Sequence, residues 1–234
     1  MENSSAFIDY FNKIELILKK EINTDGYETF SQKVKLSKNK IVIRFKDELL
    51  SFADLRNAIV HSPKIGGKVI AEPHKETVDR IKFLYETINN PKKVIPEFQF
   101  PVLGAKEDDF INNILIEMRE KSFSQFPIFD ENNNVVEIIT NNTISRWLSK
   151  KIKENGTILV ENVKVKELIS EIEFKNNYKF ISKNRSVYEA YDYFIDHINQ
   201  KNQNLDVIFI TETGKEKEKL LGLITIEDIA KWGK

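Results

Sequence analysis

Cysteine is absent from all 234 residues, which excludes disulfides and thiolate metal sites. Histidine is scarce: His61, His74 and His197 lie far apart in the sequence, and that scatter argues against a structural zinc site. The expectation is a function that needs no metal. The eight glycines never form the phosphate-cradling loop or the nucleophile elbow of a conventional metabolic enzyme. No apolar run approaches the ~20 residues of a membrane-crossing helix. Met1-Glu2-Asn3-Ser4-Ser5 lacks a basic and apolar leader, so the expectation is a soluble, unsecreted, cytoplasmic protein with no membrane partner. An excess of one charge is missing too, since 36 basic side chains balance 36 acidic ones. Residues 1–99 carry 17 Lys and Arg against 14 Asp and Glu, and residues 100–234 carry 19 against 22. That asymmetry is too mild for a basic nucleic-acid-binding face. Lys33, Lys35, Lys38, Lys40, Arg44 and Lys46 form a local basic stretch, but Phe45 is its only interleaved aromatic, so it reads as solvated surface rather than a stacking platform.

What is present is apolar and periodic. Hydrophobic residues make up 41% of the chain, 16 of them Phe, enough to fill two ordinary cores. Phe7, Tyr10, Phe11, Ile14, Ile17 and Leu18 recur at helical spacing and predict a helix over 7–21. A second helix starts near Asp47 and stops by Ser62, because the residue before Pro63 is pushed out of the helical region. Ile65-Gly66-Gly67-Lys68-Val69-Ile70 reads as a turn. A third helix enters through Pro73 and runs from about His74 to Ile88, with Val78, Ile81, Leu84 and Tyr85 on its apolar stripe. Pro91, Pro96 and Pro101 then interrupt regular structure, which places a domain boundary near residue 95.

Beyond that boundary the pattern changes to short strands alternating with helices, such as one over 108–120. A unit occurs twice: Phe126-Pro127-Ile128-Phe129-Asp130 to Val136-Glu137-Ile138-Ile139-Thr140, and Val207-Ile208-Phe209-Ile210-Thr211 to Leu221-Gly222-Leu223-Ile224-Thr225. Each copy reads strand, polar turn, strand and Thr, and each leads into a helix that bears a tryptophan, Trp147 or Trp232. Asn155-Gly156 marks the break between the copies.

This duplicated unit resembles a tandem pair of cystathionine-beta-synthase (CBS) domains, a module that binds adenine nucleotides in regulatory proteins. The resemblance covers about residues 96–234, as repeats 96–155 and 156–234. It implies that the second copy, Thr225-Ile226-Glu227-Asp228, holds a nucleotide: the Asp228 carboxylate takes the ribose hydroxyls and Thr225 meets phosphate. A carboxylate suits a diol because it only accepts hydrogen bonds, and a helix N-terminus favours phosphate. The first copy departs from the pattern, with Thr143 where the Asp belongs and Glu137 in place of the usual Gly, which puts the Thr140 site in doubt. The same resemblance places adenine between the repeats, against Ile181 and Phe126, and implies AMP, ADP or ATP as the regulatory ligand. At the hairpin starts, Ser124-Gln125 and Asn204-Leu205, no basic phosphate-binding pair is apparent. The competing reading is that Thr225 and Asp228 only cap the helix beginning there.

In the N-terminal part, Arg56-Asn57-Ala58-Ile59-Val60-His61 resembles the motif of HEPN domains, all-helical modules often active as metal-independent endoribonucleases. Asn57 and His61 are four residues apart and share a helix face, and Arg56 is long enough to reach the same side. RNA cleavage through its own 2′-hydroxyl needs a base and a cation on the developing phosphorane, roles that suit His61 and Arg56. At a helix C-terminus His61 equally suits the acid role for the leaving oxygen. The resemblance also implies a homodimer that brings two motifs together. The alternative is that Arg56 pairs with Asp54 and His61 caps its helix, in a domain that serves only dimerisation or partner binding. Together the readings give an α+β chain, with an all-helical HEPN-like domain over 1–95 and a tandem CBS pair. The expected protein senses an adenine nucleotide and controls an attached RNA-cleaving domain, or regulates without enzymatic activity.

Overall fold

The computed structural model describes residues 2–22, 27–63, 69–152, 156–157 and 161–233. The turn expected at Ile65-Gly66-Gly67-Lys68 and the first residue of the break at Asn155-Gly156 lie outside the described residues. The chain divides into two compact units, Met1–Lys92 and Lys93–Lys234.

In the N-terminal unit, α1 (Asn3–Ile22) buries Phe7, Phe11, Ile14 and Leu18, the stripe that its helical spacing predicts. Two short helices follow that the periodicity did not announce, α2 (Phe30–Leu36) and α3 (Lys40–Arg44). A capping box starts α2: Thr29 accepts from the Gln32 backbone N–H while the Gln32 side chain accepts from Thr29 N–H. The turn after α2 is held from α1, because the Glu21 carboxylate accepts from the Ser37 hydroxyl and from the backbone N–H groups of Lys38 and Asn39. The basic stretch thus spans two small helices and their connection, and Lys33 is drawn into an ion pair with Glu15 at 2.8 Å. Helix α4 (Lys46–His61) and α5 (Lys75–Asn89) complete the unit. Phe52 of α4 meets Phe7 edge-on at 5.5 Å, and Phe30 stacks on Phe11 at 4.1 Å. These contacts fix the middle of α4 and the start of α2 against α1.

The C-terminal unit opens with the short α6 (Val94–Glu97). Two three-stranded sheets of identical topology follow. In the first, β1 (Ala105–Lys106) runs parallel to β2 (Gln125–Phe129), which pairs antiparallel with β3 (Val135–Thr140). Helix α7 (Ile111–Lys121) crosses from β1 to β2, and α8 (Asn141–Lys151) leaves β3. After α9 (Lys166–Ile169), the second sheet repeats this with β4 (Tyr178–Ser182), β5 (Val207–Thr211) and β6 (Gly222–Ile224). Helix α10 (Val187–Lys201) makes the second crossover, and α11 (Ile226–Ile229) leaves β6 and passes into a tight 3₁₀ turn over Ala230–Gly233. Both tryptophans pack within the unit. Trp147 is 2% exposed in the first core, whereas Trp232 rests on Tyr188 at 5.9 Å.

The spatial repeats are not contiguous in the chain. Val163, Val165 and Leu168 belong to the core of the first repeat, with Ile111, Ile128 and Trp147. Backbone bonds secure them there: Ile111 N–H donates to Val163 O, and Val165 N–H to Asp109 O, both at 3.0 Å. Conversely, the segment that starts the unit is built onto the second repeat. Val94 N–H donates to Arg185 O at 2.9 Å and Phe100 N–H to Leu221 O at 3.2 Å, which is why the unit boundary falls at residue 92 rather than near 95. The two sheets meet through Ile138 of β3 against Val207 and Phe209 of β5.

The repeats differ where Glu137 stands in one and Gly222 in the other. A Cβ on Gly222 would lie 1.8 Å from Phe98 O, so the backbone approach there admits only glycine. At the sister position the Glu137 side chain fills the space. It is 6% exposed and its carboxylate accepts from Asn176 N–H, at 3.1 and 3.2 Å, and from Ile138 N–H. A buried acceptor with these donors meets the requirement that buried polar groups be paired.

Candidate functional site

Two cavities lie on the seam between the repeats of the C-terminal unit, and they are built from equivalent parts. The first has a volume of about 320 Å³ and is walled by Leu223, Thr225, Glu227 and Asp228 of the second repeat, by Ser122–Gln125 and Pro127 of the first, and by Phe100, Pro101 and Leu103. The second, about 250 Å³, is walled by Ile138, Thr140, Asn142 and Thr143 of the first repeat, by Asn202–Asn204 and Asp206 of the second, and by Ile172, Glu173 and Phe174. Leu223, Thr225, Glu227 and Asp228 correspond one for one to Ile138, Thr140, Asn142 and Thr143. Each cavity therefore combines the strand-to-helix junction of one repeat with the segment leading into the middle strand of the other.

The chemistry of the two junctions is set by their caps. In the first cavity Asp228 Oδ2 accepts from Thr225 N–H at 2.9 Å and from Thr225 Oγ1 at 2.8 Å. This is a reciprocal capping box, so the capping role weighed from sequence is real. It uses Oδ2, and Oδ1 has no part in it. Helix α11 is only four residues long, which removes the extended helix dipole on which a phosphate was expected to lean. In the second cavity Thr140 and Thr143 form the corresponding box with hydroxyls alone. Asn142 donates to Glu173 at 2.8 Å, and Arg146 approaches the same carboxylate at 3.5 Å. Burial pushes the Asp206 carboxyl above its ordinary value, a hydrogen bond from Asn177 partly offsets this, and the negative Glu137 adds to it.

The structure brings Thr225 and Asp228 together in the first cavity and puts Thr140 in the second. It does not bring Phe126 or Ile181 into either wall. Phe126 is 4% exposed in the core of the first repeat and Ile181 is 3% exposed on β4. Phe126 alternates along β2 with Gln125 and Pro127, and those neighbours line the cavity instead. The apolar walls that sequence reasoning missed are Phe100, Leu103 and Phe123, each about 40% exposed. The sequence offered only Phe100 beside Pro101 in a stretch that proline keeps out of regular structure.

In the N-terminal unit Arg56, Asn57 and His61 line one cavity of about 310 Å³ with Phe11, Glu15, Tyr27, Thr29 and Ala53. Arg56 Nη1 lies 2.6 Å from His61 Nε2 and 3.4 Å from Asn57 Oδ1. A guanidinium has only donors, so in a hydrogen bond between the two side chains Nε2 is the acceptor. The Arg56–Asp54 pairing considered from sequence gives way to these contacts. Tyr27, at the mouth, is 99% exposed.

Comparison with known families bears on the C-terminal unit. The model of the CBS domain matches residues 99–150. This stretch is a CBS domain. The matched CBS domain spans β1 through most of α8 and so contains Phe126, Thr140 and Thr143, while Thr225 and Asp228 sit in the second copy of the same topology. Solved structures similar to this chain include the CBS domain pair of protein MJ0100 in complex with 5′-methylthioadenosine and S-adenosyl-L-methionine. It is 20% identical, covers 61% of this chain and 100% of its own, and has a TM-score of 0.43. CBSX2 in complex with AMP is 14% identical over 60% of this chain and 95% of its own, with a TM-score of 0.41. OpuCA from Staphylococcus aureus is 10% identical over 58% and 95%, with a TM-score of 0.40. No curated protein matches the chain. Among the described residues, no helix is long and apolar enough to cross a membrane.

Proposed function

We propose that the C-terminal unit is an adenine-nucleotide sensor that regulates the N-terminal unit. One observation carries this reading: Thr225 and Asp228 share the wall of a cavity whose other faces include Phe100 and Leu223, in a unit that contains a CBS domain. Apolar walls suit a purine face, and Asp228 Oδ1 is an acceptor for the two ribose hydroxyls. The test is calorimetric titration of AMP, ADP and ATP into the full chain and its Asp228→Ala variant, with circular dichroism as a control for folding. Asp228→Ala is expected to weaken binding about tenfold or more, the usual cost of losing hydrogen bonds to a charged acceptor. Equal affinity in the two proteins removes Asp228 from the site.

A second reading concerns the N-terminal unit, and the 2.6 Å Arg56–His61 contact favours it. The unit is a HEPN-like, metal-independent endoribonuclease. His61 Nε2 takes the proton of an RNA 2′-hydroxyl, and the oxygen attacks the adjacent phosphorus. The 5′-oxygen leaves with a proton, and a 2′,3′-cyclic phosphate remains. Arg56 shifts from the imidazole to the phosphorane, with Asn57 beside it. The acid for the leaving oxygen comes from a second copy of the motif in a homodimer. Cleavage of a mixed RNA by wild type and His61→Ala, with and without AMP or ATP, tests this. Cutting that is lost in His61→Ala and altered by nucleotide supports the regulated nuclease. No cutting under any condition leaves the alternative, a non-enzymatic regulator whose helical unit mediates dimerisation or partner binding.

A further inference from the structure

The first cavity of the C-terminal unit presents negative charge to whatever occupies it. Glu227 and Asp228 both stand on its wall, and its remaining polar lining is hydroxyl and amide: Ser122, Ser124, Gln125 and Thr225. Among the described residues lining it, none is Lys, Arg or His. Two carboxylates beside one small cleft oppose the approach of a phosphate, and phosphate groups are normally held by cations or by the N–H groups of a long helix terminus. The cavity supplies neither a cation nor a long helix terminus, since α11 has only four residues.

We infer that this cavity selects a nucleoside without phosphate, neutral or cationic at its 5′ end, over the corresponding mono- and triphosphates. This rests on the reading that the cavity takes an adenine group and specifies the charge of the ligand. Glu227 is the determinant: it is exposed, takes no part in the capping box, and faces the ligand with a charge that phosphate must approach. Thr143 and Asn142 stand at the sister positions of Asp228 and Glu227, but Glu173 and Asp206 make the second cavity acidic as well.

The experiment is isothermal titration of adenosine, AMP and ATP into the full chain at low salt, repeated with Glu227→Lys. Adenosine is expected to bind at least about tenfold more tightly than ATP, with AMP between, as one repulsive charge contact of this kind predicts. Glu227→Lys should narrow or reverse that order. AMP or ATP binding as tightly as adenosine overturns the inference while leaving the adenine site intact. An unchanged order in Glu227→Lys overturns Glu227 as its cause. Failure of all three ligands to bind instead overturns the adenine reading on which the inference rests.

Discussion

Asp206 and Glu218 respond to acid in opposite senses. The folded chain holds the Asp206 carboxyl above its ordinary 3.8, chiefly through burial. Its charged form is thus disfavoured on folding, and stability is lost as the pH rises through the window that begins near 3.8. Asp206→Asn is expected to raise the melting temperature at pH 7, and the gain should close as the pH is lowered to 3.8. Glu218 accepts from the Thr213 hydroxyl and N–H at 2.6 and 2.7 Å, which pulls its carboxyl from 4.5 to about 2. Its contribution is complete above 4.5 and disappears as the pH falls to about 2. Glu218→Gln should therefore melt earlier than wild type at pH 7 and together with it at pH 2. Neither residue stood out in the sequence: the Asp206 shift arises from tertiary burial, and the Glu218 shift from a turn in which Thr213 bends back onto it. That Arg56, Asn57 and His61 share one cavity, and Thr225 and Asp228 another, was legible, since each set lies within six residues on one helix or at one helix start. Phe126 faces the core because alternation along β2 turns Gln125 and Pro127 to the cavity, whereas neither Ile181 nor its neighbours on β4 line either cavity.

At the scale of elements, both strand-to-helix junctions depend on what stands one residue before the middle of the last strand. Gly222→Ala would drive a methyl group into Phe98 O. Overpacking of this kind costs about 2 kcal/mol, or roughly 4–8 °C in melting temperature for a chain of this size. Glu137→Ala removes the acceptor of Asn176 N–H and Ile138 N–H and should cost about 1–3 kcal/mol, whereas Glu137→Gln keeps an acceptor and should cost less. Thermal melts of the three variants decide the point. The repeated hairpins and long helices were readable from period and turn residues. Helices α2 and α3 were not, because five to seven residues are too few for an apolar stripe to declare itself. The Thr29–Gln32 capping box was the one local sign of α2.

For the whole C-terminal unit, sequence order and spatial order part company. Hydrophobic pattern locates strands and helices, but it is silent about which copy a connecting segment joins, so Val163, Val165 and Leu168 could not be assigned to the first core beforehand. A fragment of residues 93–157 is expected to lack cooperative unfolding, because that core would lose three fully or nearly buried apolar side chains. A sharp melting transition in the fragment would contradict the exchange of segments. The exchange also governs how the two cavities relate. Each borrows one wall from either repeat, so any molecule seated in one is a clasp across the shared seam. By thermodynamic reciprocity, whatever factor the first occupant imposes on the second is returned in full by the second to the first.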